Sequence, residues 1–137
     1  MRALTVLALT AVLFGCAGAQ PSDPSIQSQL DEFAQLSGRD NLVTAPTVEL
    51  YEGFALVNVE LEAGQRYVVF LAAAEGSGLD PDADILDPAG VAIAEAVAEG
   101  EDDTVTFEAA DEGWHTVSVD LIGCSGSCPV GVAIARL

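Results

Sequence analysis

Lysine is absent from this 137-residue chain, and four arginines carry all of its positive charge. Against them stand 22 acidic residues, giving a formal net charge of −18. That balance excludes nucleic acid as a partner, because cationic side chains must displace the counterions of the phosphate backbone. Electrostatic docking on anionic lipid is excluded for the same reason. Histidine occurs once, as His115, so any nucleophile–base–orienter set would have to use it. Strand parity places His115 on an apolar face instead. No G-x-S-x-G is present, and "CSGSC" does not match it. With three cysteines and one histidine, a zinc pair at Cys124 and Cys128 would lack its remaining soft ligands. No catalytic residue is expected, and no cofactor beyond a possible Ca²⁺.

What the chain does have is apolar residues, which make up 50% of it, enough for the core of one domain behind a targeting segment. Arg2 is followed by an uncharged, mostly apolar run from Ala3 to Phe14, too short to span a bilayer but suited to a signal-peptide core. Two cleavage readings stand. "LFGC" resembles the bacterial lipobox, with Cys16 as the lipid-bearing residue, although Phe14 occupies a position where a small residue is usual. "AGA" before Gln20 fits ordinary secretion. The flexible "AGAQPSDPS" after Cys16 suits a tether between bilayer and fold, which favours lipidation. Either route delivers the protein outside the cytoplasm, where Cys124 and Cys128 form a disulfide.

Residues 1–15 thus read as signal peptide, 16–42 as tether with a short amphipathic helix, and 43–137 as the folded domain. In "DPSIQSQLDEFAQLSG", Asp23 caps, Pro24 fits the first turn and Gly38 the stop, with Ile26, Leu30 and Phe33 on one face. Beyond Leu42 the period changes to two. "FALVNVEL", "DTVTFEA", "GWHTVSVDL" and "PVGVAIARL" alternate, whereas "RYVVFLAAA" is apolar on both faces, as a strand covered on both sides would be. Strands separated by Gly, Pro and Asp clusters predict an all-β, antiparallel β-sandwich.

"LEAGQRYVVFL", "DPDADILDPAG" and "DTVTFEAADEGWHTVSV", in that order, resemble the bacterial pre-peptidase C-terminal domain over roughly residues 45 to 137. Asp80 and Asp82 match its D-x-D, Asp87, Pro88 and Gly90 its D-P-x-G turn, and Gly113 the turn before its penultimate strand. Pro81, Ala83 and His115 depart from the pattern. The resemblance implies a jelly-roll-like sandwich, carried by secreted proteins that are often peptidases, with no catalysis of its own.

The acidic stretch has two readings. Asp87-Pro88-Ala89-Gly90 is a turn, and the aspartates before it form a solvated strand face. Alternatively Asp80, Asp82, Asp84 and, from the "EGEDD" loop, Asp103 ligate a Ca²⁺ ion. Trp114 points away from the His115 face, either as a binding surface for a glycan or protein or beneath the helix; the second is favoured. The expectation is a monomeric, non-enzymatic cell-envelope lipoprotein, in the outer membrane or periplasm, held to the membrane by its lipid and binding an unidentified protein or glycan. The alternatives are a secreted accessory domain assisting a peptidase, or a Ca²⁺-binding module.

Overall fold

The computed structural model describes residues 23–137; the expected signal peptide, Cys16 and the first part of the expected tether lie outside the described residues. The helix forms as its punctuation requires. α1 spans Pro24–Ser37, with the Asp23 carboxylate accepting from the Ser25 and Ile26 amides. That bonding lowers the Asp23 pKa, first through the Ser25 side chain and then through the Ile26 amide. Gly38 ends the helix at φ 83°, a conformation costly for any side chain, and a 3-10 turn follows over Arg39–Asn41.

Eight strands follow: β1 Thr47–Tyr51, β2 Ala55–Leu61, β3 Arg66–Ala72, β4 Asp80–Leu86, β5 Ala92–Ala96, β6 Asp102–Glu108, β7 Gly113–Ile122 and β8 Cys128–Arg136. They make two four-stranded sheets, ordered β1-β8-β3-β6 and β2-β7-β4-β5. β1 pairs with β8, β2 with β7, β3 with β6 and β4 with β5, all antiparallel. The chain is therefore one long hairpin, closed at the β4–β5 turn and rolled so that β3 meets β8 and β4 meets β7. This is a jelly-roll sandwich, the expected class. The four alternating segments form β2, β6, β7 and β8, the doubly apolar "RYVVFLAAA" forms β3, and the strand of aspartates forms β4. β1 was not anticipated: its five residues are mostly half-buried, with no clean alternation.

Between the sheets lies a core that includes Val57, Val59, Tyr67, Val69, Leu71, Ile85, Phe107, Val117, Val119 and Ile134. A smaller apolar layer lies outside the first sheet, where Ile26 and Leu30 of α1 pack on Phe70, Ala72 and Ala133, and Phe33 stacks on Phe70 with centroids 5.1 Å apart. Hence the double-sided hydrophobicity of β3: sandwich on one face, helix on the other. The β1-β8-β3-β6 sheet is the helix-covered sheet, and β2-β7-β4-β5 is the open sheet. The preferred placement of Trp114 beneath α1 is corrected here. Trp114 lies on the outer face of the open sheet and is 62% exposed. The helix selects the other sheet because β8 offers it Gly131 and Ala133, small enough for close approach.

The expected disulfide is present. Cys124 and Cys128, with Cα atoms 6.2 Å apart, clasp the β7–β8 connection. Closing so short a ring contributes about 2 kcal/mol in the loop-entropy picture.

Candidate functional site

The acidic stretch resolves into separate tasks. Asp87 organises the turn: its carboxylate accepts from the Ala89 amide at 2.9 Å and the Val91 amide at 2.8 Å, while Gly90 N–H donates to the Asp87 carbonyl. Pro88 supplies the fixed φ of the next position. Asp80 accepts from the Gly100 amide at 3.1 Å, tying β4 to the β5–β6 turn. Glu101 reaches the other way, accepting from the Gly76 and Gly78 amides at 2.9 and 2.8 Å. Those amides lower its pKa. A lowered carboxylate stabilises the fold above the ordinary glutamate range and loses that contribution as the pH falls through its own pKa.

Asp103 is not a loop residue. β6 begins at Asp102, so the inward parity of Val105 and Phe107 runs back to Asp103, which is 7% exposed. Its carboxylate accepts from the Ala98 amide at 2.9 Å and the Thr104 amide at 2.6 Å. The four residues expected around Ca²⁺ are thus not brought together as a ligand set. Asp80 and Asp103 hold backbone amides, while Asp82 and Asp84 lie on the outer face of the open sheet. Among the described residues no three Asp, Glu, His or Cys side chains converge as a metal-binding group.

His115 lies where parity put it, fully buried in the core. Nδ1 is 3.0 Å from the Gly113 carbonyl, so it carries the proton and donates; among the described residues Nε2 has no partner. A histidine sealed between two sheets reaches no substrate.

What remains open is the outer face of the second sheet. β7 contributes Trp114, Thr116, Ser118, Asp120 and Ile122 in alternation. β2 sets Leu56, Asn58 and Glu60 beside them, with Thr116 donating to Asn58 at 2.8 Å. From β4 come Asp82 and Asp84, and from β5 Ile93 and Glu95. Asp82 stands directly opposite Asp120, a like-charge pair across the ladder. The Tyr51 hydroxyl donates to Asp120 at 2.6 Å, which raises the tyrosine pKa. Asp82, Asp84, Glu95, Val97 and Asp120 line a shallow depression of about 270 Å³. Asp82 is the carboxylate with a raised pKa, pushed up by burial first and then by Asp80, Asp103, Asp120 and Asp84.

The sign follows from that shift. An aspartate whose folded-state pKa is raised penalises the fold above that pKa, and the penalty disappears as the pH falls through it. Asp82→Asn is therefore expected to stabilise the protein at pH 7, raising the melting temperature by about 2 °C for ~0.5 kcal/mol. The gain should vanish near pH ~3, where aspartate is protonated in either state. Melts of both proteins at the two pH values check this; an unchanged or lower melting temperature at pH 7 refutes it.

No family model matches the chain, and no curated protein sequence matches it. Solved structures do. The pre-peptidase C-terminal domain of a collagenase from Bacillus anthracis is similar, with a TM-score of 0.53 at 11% identity over 67% of this chain and 89% of that one. The periplasmic g-type lysozyme inhibitor from Aeromonas hydrophila gives a TM-score of 0.48 at 13% identity over 72% of this chain and 90% of that one. At such identity the first likeness establishes a shared fold alone, and the second carries no argument. The fold expected from the ordered motifs, that of the pre-peptidase C-terminal domain, is the one found.

Proposed function

We propose that this chain is a non-catalytic cell-envelope protein: a disulfide-clasped sandwich, tethered through lipid on Cys16, that works by binding at its open sheet. One observation carries the reading: α1 covers one sheet while the other keeps a broad outer face, Trp114 included, in solvent. A sole histidine buried in the core supports a role without catalysis. The bridged cysteines support an oxidising compartment.

The mass of the mature N-terminus tests the anchoring. A lipid-modified Cys16 is expected after expression in a bacterial host, with processing blocked by globomycin. An unmodified chain starting at Gln20 removes the anchor and leaves a secreted or periplasmic protein. A second reading, an accessory domain working beside a peptidase, draws on the fold shared with the collagenase domain. Co-purification with an envelope peptidase would favour it.

A further inference from the structure

We infer that the outer face of the open sheet docks a lysine- and arginine-rich polypeptide surface. The inference rests on the binding role proposed above and names its face and the chemistry of its partner. Charge is the first argument. Among the described residues the arginines are Arg39, Arg66 and Arg136, on the 3-10 turn, β3 and β8, so none lies on the open sheet. The face instead carries Glu60, Asp82, Asp84, Glu95 and Asp120. Asp82 and Asp120 oppose each other across the β4–β7 ladder, and the Asp82 pKa, raised first by burial, is raised further by the charges of Asp80, Asp103, Asp120 and Asp84. A cationic partner relieves that repulsion on binding, a gain unavailable to a neutral one.

Apolar exposure is the second argument. Leu56, Ile93, Val97, Trp114 and Ile122 are all exposed, and all lie on this face or its rim. Trp114 to Asp120 spans about 20 Å along β7, room for an extended segment or a strand of a partner. A large aromatic anchor beside a field of one charge fits a partner that alternates basic and apolar side chains. A second copy of this chain is a poor occupant, because it would bring the same charge to the same place.

The chain's single tryptophan lies on the proposed surface, so its emission reports occupancy. The probe is an amphipathic lysine–leucine peptide, titrated into the purified full-length protein and read by Trp114 emission and calorimetry. A saturable emission shift is expected, with affinity falling as salt rises. Combining Asp82→Asn, Asp84→Asn and Asp120→Asn should weaken binding about tenfold, and Trp114→Ala by a similar factor read by calorimetry. Removing as many charges from the helix side, with Asp31→Asn, Glu32→Gln and Asp40→Asn, should leave affinity within about twofold. Equal losses in the two charge-removal variants would overturn the proposal, since net charge alone would then govern. So would the absence of an emission shift, or a preference for a neutral oligosaccharide. Either of those results beside a lipid-modified Cys16 would remove the cationic partner and leave the envelope assignment standing.

Discussion

Gly131→Val unseats α1 from the helix-covered sheet, at an expected cost of about 2–3 kcal/mol. Position 131 is in extended backbone near the middle of β8, where a side chain would ordinarily help: glycine weakens a strand by roughly 0.5–1 kcal/mol relative to alanine. The sign is reversed by what lies above it. A Cβ at Gly131 would meet Ile26 Cγ2 at 2.6 Å and both Leu30 δ-carbons at 3.2 Å. Ile26 and Leu30 are fully buried, so neither has space to retreat. The helix must lift, partly exposing two aliphatic side chains whose full burial stabilises by about 1.5–3 kcal/mol each. Denaturant unfolding gives the cost, and limited proteolysis should open first within Pro24–Ser37. A double-mutant cycle tests the cause. Gly131→Ala and Ile26→Ala each destabilise alone, but the trimmed isoleucine should absorb the new methyl, giving a coupling of at least ~0.5 kcal/mol. Strictly additive costs would mean that the close approach does not constrain the helix.

Asp103→Ala is expected to cost about 2 kcal/mol or more, the scale of losing charge-assisted hydrogen bonds at a buried site. The Ala98 amide, which closes the β5–β6 turn, loses its acceptor, as does the Thr104 amide. Removing one of the charges that crowd Asp82 returns part of this. That return is the smaller effect, because Asp82 is partly solvated whereas the Asp103 carboxylate that holds both amides belongs to a buried residue. Asp103→Asn keeps one acceptor oxygen and turns an amino group toward the other amide, so it should be intermediate. Urea titrations of the three proteins rank them. A neutral Asp103→Ala would mean that the turn stands without its carboxylate.

Much of this fold was legible because alternation is a direct print of a two-layer sandwich. Val105 and Phe107, or Val117 and Val119, point inward at every second residue and do so in the structure. The Asp87-Pro88 turn was legible because its chemistry is local. β1 was not, since an edge strand with little burial leaves no periodic trace. The seat of α1 was not legible either. Its apolar stripe announces that it packs, while its partner is fixed by Gly131 and Ala133, which read as unremarkable small residues between Val130, Val132 and Ile134. The tendency of tryptophan to be buried points Trp114 beneath the helix, but it does not say which sheet the helix covers. The charge of Asp103 suggests a loop ligand, while its parity with Val105 points it inward. Extending the period of two backward by one step would have placed it inside.

The nested strand pairing also sets an order of assembly. β8 lies between β1 and β3, and β7 between β2 and β4, so both sheets are missing an interior strand until residues 113–136 have emerged. Only the β4–β5 hairpin and its turn can close early; each other pairing must bring together segments far apart along the chain. A growing polypeptide of this design stays unable to lock, and therefore threadable, until β7 and β8 are available to fill the two sheets. That delay suits the export proposed above, in which the chain would be threaded before it takes its final shape.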